Sequence, residues 1–259
     1  KNSHRPVTLI FFVQEEVGLI GARGMDLKKL GKPVPALCFN FDGGPPDEIV
    51  TSVIGTERFN IQVEGIASHA GSRPEQGVSA ATVASLAIAE LEGDGWNGRM
   101  QRPEGEGSAN IGTIEGGTGT NVTMPALHIL AEARSHSPAF RRTIIDTWKA
   151  AFERVCAAAT NEAGDHGQVT FSPGPTYESF ALSENAPVVE AVQKAAQHVG
   201  VRTRCVVNNG GMDSNWIVAH GIPSVTLGVG QSNAHTPEER LDLKRFWSAC
   251  EIATRLTEV

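Results

Sequence analysis

The sequence predicts an α/β protein built on a parallel-rich sheet and interrupted by a smaller α+β insert, and three observations carry that expectation. Apolar runs at residues 7–13 and 36–41 flank a segment, 19–30, whose apolar residues recur at helical spacing. A strand, a helix and a second strand in that order imply parallel pairing. From about Thr56 the pattern changes to half-exposed alternation, and the elements then read β-α-β-β-α-β, the order of a ferredoxin-like sandwich. After Pro173 and Pro175 the α/β alternation resumes. The expected boundaries are 1–55 and 174–259 for the α/β part and 56–173 for the insert.

Each element has a local reason. Residues 7–13 are rich in β-branched and aromatic side chains and end abruptly at Gln14-Glu15-Glu16-Val17-Gly18, so they read as a buried strand. The helix at 19–30 stops at Gly31, with Pro33 beyond it. The second strand, 36–41, ends in Asp42 followed by Gly43-Gly44-Pro45-Pro46. In the insert, 58–64 alternates like a strand and 77–91 is an alanine-rich helix. Residues 93–107 read as a glycine-rich charged loop. Strands are expected at 110–115 and 127–134, a long helix at 140–163 and a short strand at 168–172. The final part offers a helix at 186–199, a strand at 202–207, a glycine-rich loop entering a helix near Trp216, and a strand at 223–227. A closing amphipathic helix covers 243–257. Its start has two candidate caps: the box Thr236-Pro237-Glu238-Glu239, or Asp242.

Composition excludes several classes. At 259 residues and 27.5 kDa the chain can bury a large core, and a formal net charge of -7 with a pI near 5.6 argues against nucleic acid or an anionic membrane as partner. No apolar run approaches the roughly 20 residues of a membrane span. Lys1 and Arg5 before an apolar run mimic a signal peptide, yet the run meets Gln14-Glu15-Glu16 with no small-residue cleavage site. Cys38, Cys156, Cys205 and Cys250 lie far apart without Cys-x-x-Cys spacing, which fits a reducing cytoplasm and signals neither a zinc ribbon nor a disulfide scaffold. The run Gly116-Gly117-Thr118-Gly119 lacks the Lys-Ser/Thr of a phosphate-binding loop and is discounted.

The chemistry concentrates at strand ends. Glu15 and Glu16, side by side at a strand's mouth, repel and raise one another's pKa unless a cation stands nearby. With a metal ion, one carboxylate is a ligand and the other a general base. Without one, the strand simply exits into solvated acidic residues. In a β-α-β unit Asp42 falls at the same carboxyl edge, where open α/β folds bind ligands. His235 follows a strand of the same expected sheet.

Several stretches together carry a resemblance. They are the segment from Phe12 to Arg23 containing Glu15-Glu16, Ser68-His69-Ala70-Gly71-Ser72-Arg73-Pro74, Ala109-Asn110-Ile111-Gly112-Thr113, Asn121, Glu132-Ala133-Arg134-Ser135, Gly210-Gly211-Met212-Asp213-Ser214-Asn215, and His235-Thr236-Pro237-Glu238-Glu239. In this order the chain resembles the M20 family of co-catalytic zinc peptidases and amidohydrolases, most closely its peptidase T-like branch. The resemblance implies an α/β zinc-peptidase catalytic domain with a ferredoxin-like lid or dimerisation domain inserted at 56–173. It implies two Zn2+ per intact subunit, with Mn2+ or Co2+ as substitutes, and a short peptide or N-acyl amino acid with a free carboxylate as substrate. A homodimer paired through the lid is also implied.

Carried over by position, Glu15 is the general base, Glu16 and His235 bind one metal and Asp42 the other. Arg134 and Asn121 hold the substrate carboxylate, with Gly210 and Gly211 in the substrate-binding loop. His69 reaches the polarised carbonyl oxygen, in some relatives from the neighbouring subunit. The family also supplies a His-x-Asp motif from an upstream segment, and none of the eight histidines here is followed at two residues by aspartate. One histidine ligand and the bridging carboxylate are therefore absent from this sequence. The expectation is the C-terminal two-thirds of an enzyme, probed alone inactive. Two readings remain beside the peptidase: an N-acyl-amino-acid amidohydrolase or carboxypeptidase of the same family, and a non-catalytic binding or assembly module.

Overall fold

The computed structural model describes residues 4–258; Lys1 of the basic N-terminal stretch lies outside them. The chain divides into two compact units, one running to Ile54 and resuming at Tyr177, the other Gly55–Thr176. No helix among the described residues is long and apolar enough to cross a membrane. All four cysteines are free.

The first unit opens differently from expectation. Residues 7–13 are extended but pair with no strand among the described residues. Their period of two survives: Ile10 and Phe12 pack toward Leu30, Ile217 and Ile222, while Leu9, Phe11 and Val13 are exposed. An extended segment covered on one face only keeps its alternation without becoming a ladder strand. The expected helix 19–30 is cut to α1 (Ile20–Arg23) and a 3-10 turn at Leu27–Lys29. Gly24 closes α1, and Asp26 accepts a hydrogen bond from the Lys28 N–H at 3.0 Å, because an aspartate favours capping over a helix interior.

Two strands follow, β1 (Cys38–Asp42) and β2 (Glu48–Val53), the second unforeseen. β1 finds its parallel partner late in the chain rather than in the 7–13 segment.

The second unit contains β3 (Gly55–Glu64), α2 (Ala80–Gly93), β4 (Gly98–Arg102), β5 (Gly105–Gly116), β6 (Ala126–Ser135), α3 (Pro138–Ala158) and β7 (Gln168–Tyr177). Its sheet order is β4-β5-β6-β3-β7. The segment expected to be a loop, 93–107, instead supplies β4 and its hairpin turn into β5, which adds an edge strand to the anticipated order. Phe59, Ile61 and Val63 on β3 alternate into a core with Phe140, Trp148 and Phe152 of α3. The Trp148 indole N–H donates to the Trp96 carbonyl at 2.7 Å, so its one polar atom is satisfied. α3 ends at Ala158, short of the expected 163, because Asn161 folds the chain back by accepting from the Ala163 and Asp165 N–H groups.

The first unit then resumes with β8 (Phe180–Ala181), α4 (Pro187–His198), β9 (Arg204–Asn208), α5 (Ser214–Ala219), β10 (Ser224–Gly228), β11 (Gln231–Ser232), β12 (Arg240–Leu241) and α6 (Leu243–Thr257). β1 and β10 pair in parallel, β10 and β2 antiparallel, β2 and β8 antiparallel, with β9 parallel to β2. The sheet is therefore mixed. β10 is buried along its whole length, as a central strand requires. Of the two caps for α6, Asp242 holds it, accepting from the Lys244 and Arg245 N–H groups at 2.9 and 3.1 Å.

Candidate active site

The parallel register of β1 and β10 ends with Asp42 opposite Gly228, so both strands release their chains at one edge. The two loops that leave are laced together: the Val229 N–H donates to the Asp42 carbonyl at 3.0 Å and the Gly230 N–H to the Gly44 carbonyl at 2.7 Å. The loop after β10 is closed by the β11–β12 pair and carries His235 at φ 64, a left-handed conformation uncommon outside glycine. The His235 N–H donates to Glu239 Oε2 at 3.0 Å. Hydrogen bonds from the Gln231 side chain and from that N–H hold the Glu239 carboxyl below the usual carboxylate range.

The Glu15–Glu16 pair sits in a tight turn between the 7–13 segment and α1. Gln14 and Leu19 are both left-handed, at φ 58, and the Leu19 N–H donates to the Glu15 carbonyl at 2.8 Å. Gly21 closes the turn against Val13, where a Cβ would fall 2.5 Å from the Val13 carbonyl oxygen. The turn separates the two carboxylates: Glu15 is half-buried and Glu16 exposed. Glu16 Oε2 lies 3.8 Å from His235 Nε2.

Charge crowds this edge. Burial pushes Glu15 up to about 7, the negative charges of Asp42, Glu16 and Asp213 push the same way, and His235 opposes them. Asp213 is driven to about 6, by burial first and Asp42 second. In the sequence Asp213 belongs to the glycine-rich loop that enters a helix near Trp216. Its side chain makes no capping hydrogen bond to α5. Its residue is 8% exposed, and its Oδ1 has no hydrogen-bond partner.

Oxygen and imidazole donors beside excess negative charge are of the chemistry that suits a divalent cation. Among the described residues the donors come as the pair Glu16–His235 and, separately, Asp42. No three His, Cys, Asp or Glu side chains there are gathered for one ion.

The carboxyl shifts give a stability prediction for the metal-free chain. Both pKa values are raised above those of an unfolded chain, so the fold favours the protonated forms. Their contribution is complete below pH about 4 and is lost as pH rises through about 6 for Asp213 and about 7 for Glu15. Melting temperature should fall by several degrees more between pH 5 and pH 8 for the wild-type chain than for the Glu15→Gln/Asp213→Asn double variant. Parallel pH profiles for the two would contradict it.

The second unit holds the other candidates. His69 Nδ1 accepts hydrogen bonds from the Gly71 and Ser72 N–H groups, both at 3.2 Å. The proton of the neutral ring therefore sits on Nε2, which makes the exposed His69 a hydrogen-bond donor. Asn121 lies beside it: the Ala70 N–H donates to the Asn121 carbonyl at 3.0 Å, and His69 bridges Val122. Arg134 is elsewhere. Its guanidinium pairs with Glu132, Nε to Oε1 at 2.7 Å and Nη2 to Oε2 at 3.2 Å. The His69–Asn121 pair sits in the loops at the Ala126 end of β6 and Arg134 near the Ser135 end, about 26 Å further along the strand at the usual rise. Within one unit Asn121 and Arg134 therefore lie toward opposite ends of β6.

The glycine pair lies in the loop between β9 and α5. The Gly210 N–H donates to Asn208 Oδ1 at 2.6 Å, and a Cβ on Gly211 would strike the Tyr177 ring at 2.4 Å.

Comparison with known proteins gives a consistent family. The model of peptidase family M20/M25/M40 matches residues 1–259. The uncharacterized protein YqjE of Bacillus subtilis (strain 168) is 33% identical over 256 residues, 98% of this chain and 65% of YqjE. Among solved structures, aminopeptidase PepT from Bacillus cereus ATCC 10987 aligns with a TM-score of 0.78 at 32% identity, over 95% of this chain and 62% of that one. A tripeptidase (SAV1512) from Staphylococcus aureus subsp. aureus Mu50 aligns with a TM-score of 0.80 at 29% identity, with the same coverage of 95% and 62%. The chain thus spans just under two-thirds of the length of these relatives.

Proposed function

The chain belongs to peptidase family M20/M25/M40, and from that premise we propose that the whole protein carrying it is a metal-dependent peptidase that cleaves short peptides bearing a free C-terminal carboxylate. The observation that carries this reading is the meeting of Glu16 with His235 at 3.8 Å, beside Glu15 and Asp42, at one edge of the mixed sheet. The similarity to an aminopeptidase PepT and to a tripeptidase supports the substrate class.

In this reading Glu16 and His235 hold one Zn2+, and Asp42 holds a second, with Mn2+ or Co2+ able to substitute. When bound, the ions supply Lewis acidity that polarises the scissile carbonyl and acidifies water. Glu15 takes the proton of the attacking water and returns it to the leaving amine; a pKa near neutrality suits both transfers. His69 donates through Nε2–H to the oxygen that gains charge. Arg134, its plane fixed by Glu132, reads the substrate carboxylate with its planar fork, and Asn121 lies with His69 at the other end of the strand. Gly210 and Gly211 leave room for the peptide beside Tyr177.

The 56–173 region serves as a lid and dimerisation domain on the catalytic parts at 1–55 and 174–259. The separation of His69 and Asn121 from Arg134 supports a homodimer in which one copy completes the other's site. Four free cysteines support a cytoplasmic setting.

A substrate panel tests the reading. The whole protein should hydrolyse free-amine tripeptides, should leave N-acetylated amino acids largely intact, and should lose activity on metal removal and regain it with Zn2+ or Mn2+. Cleavage confined to N-acyl amino acids would make it an amidohydrolase. A protein that bound no divalent metal and cleaved neither class would be a binding module.

A further inference from the structure

One rung inside Asp42, the sheet carries a polar chain that fixes the start of α5. Asn40 of β1 faces Thr226 of β10 and donates to its Oγ1 at 3.2 Å. The Thr226 hydroxyl is in turn hydrogen-bonded to Ser214 Oγ, and both residues are fully buried. Asn40 and Asp42, two residues apart on one strand, share a face. Residue 214 is therefore pinned over the rung next to Asp42, and Asp213 immediately precedes it.

The loop does not need Asp213 to hold its shape. Asn215 does that work: its Oδ1 accepts from the Met212 N–H at 3.0 Å, and its Nδ2 donates to the Ile54 and Glu178 carbonyls at 3.2 and 2.7 Å. Asp213 stands at the N-cap of α5, yet its side chain makes no capping hydrogen bond; the residue is 8% exposed and keeps Oδ1 buried without a partner. A buried carboxylate with a bare oxygen is costly unless a positive charge faces it. The charges it feels are those of Asp42 and Glu15, both negative. It joins no group of three donors able to ligate an ion among the described residues.

We propose that Asp213 is a positioning residue of the metal site, a buried counter-charge that holds the cation at Asp42 without ligating it. The proposal rests on the metal-site reading given above. It assigns to the Gly210-Gly211-Met212-Asp213 loop a second task besides making room for substrate: setting how tightly the Asp42-side ion is bound.

The test is metal affinity, measured by chelator competition with Zn2+ and with Mn2+ on the whole protein, for wild type and Asp213→Asn. The variant keeps size and shape and loses only the charge. One of the two ions should bind roughly 10- to 100-fold more weakly, the usual consequence of removing a partner behind a ligand. The metal-free melting temperature at pH 8 should stay level or rise, because an unpaired buried charge has gone. Wild-type affinity for both ions in Asp213→Asn would overturn the proposal and leave the metal-site reading standing. Weaker binding accompanied by a lower metal-free melting temperature would also overturn it, since Asp213 would then be supporting the loop. A wild-type protein that bound neither ion would remove the metal-site reading, and this proposal with it.

Discussion

Glu15→Gln in the whole protein should cut turnover by roughly 10²- to 10⁴-fold, the usual worth of a general base, while metal content stays at the wild-type level. The two neighbours in the turn are expected to behave oppositely. Glu15 is half-buried, and its charge is opposed by three carboxylates, so its value lies in moving a proton near neutral pH. Glu16 is exposed and stands 3.8 Å from His235 Nε2, and on the proposed reading the two share an ion. Glu16→Gln and His235→Ala should each lower bound metal, and activity should fall with it. Metal analysis by mass spectrometry beside tripeptide turnover separates the roles. If Glu15→Gln lost metal and Glu16→Gln kept it, the assignment would be reversed.

The elements that sequence located well are those whose causes are local. α6 begins and ends where the apolar period and Asp242 place it, because a cap and an amphipathic face act within a few residues. The strands flanking Asn121 also came through: β6 alternates along its length, and the glycine run after β5 marks where that strand ends. Residues 7–13 were misread because strand character depends on a neighbour: the alternation of Ile10 and Phe12 against Leu9 and Phe11 is real, but a ladder needs a second chain to bond to. β4 was missed for the opposite reason, its glycines and charges concealing a hairpin that pairs Gly98 with Ala109.

At the site, Glu15-Glu16, Asp42 and His235 were nominated because each follows an apolar run or sits in a recognisable motif, whereas the burial of Asp213 comes from packing that no local pattern announces. Only the packing shows that its Oδ1 is buried without a hydrogen-bond partner. The tautomer of His69 was equally invisible, being set by the Gly71 and Ser72 N–H groups of the folded turn.

The separation of His69 from Arg134 leads to the second large effect. A strand of ten residues lies between the loop that carries His69 and Asn121 and the end that carries Arg134. If both residues act on one peptide, they must come from two copies of the chain. His69→Ala should cost roughly 10²- to 10³-fold, as for other oxyanion donors, and Arg134→Ala should abolish reading of the carboxylate, so each variant alone should be nearly inactive. Dissociated and mixed in equal amounts, the two variants should regain activity. Half of randomly assorted dimers are mixed, and each mixed dimer has one site with both residues intact, so recovery should approach about a quarter of the wild-type rate. His69→Ala mixed with a His69→Ala/Arg134→Ala double variant supplies the control, because no dimer in that mixture carries an intact His69. That mixture should stay inactive. Failure of the first mixture to recover, with dimer exchange verified by a labelled subunit, would mean that His69 and Arg134 do not meet across an interface, and one of them would leave the site.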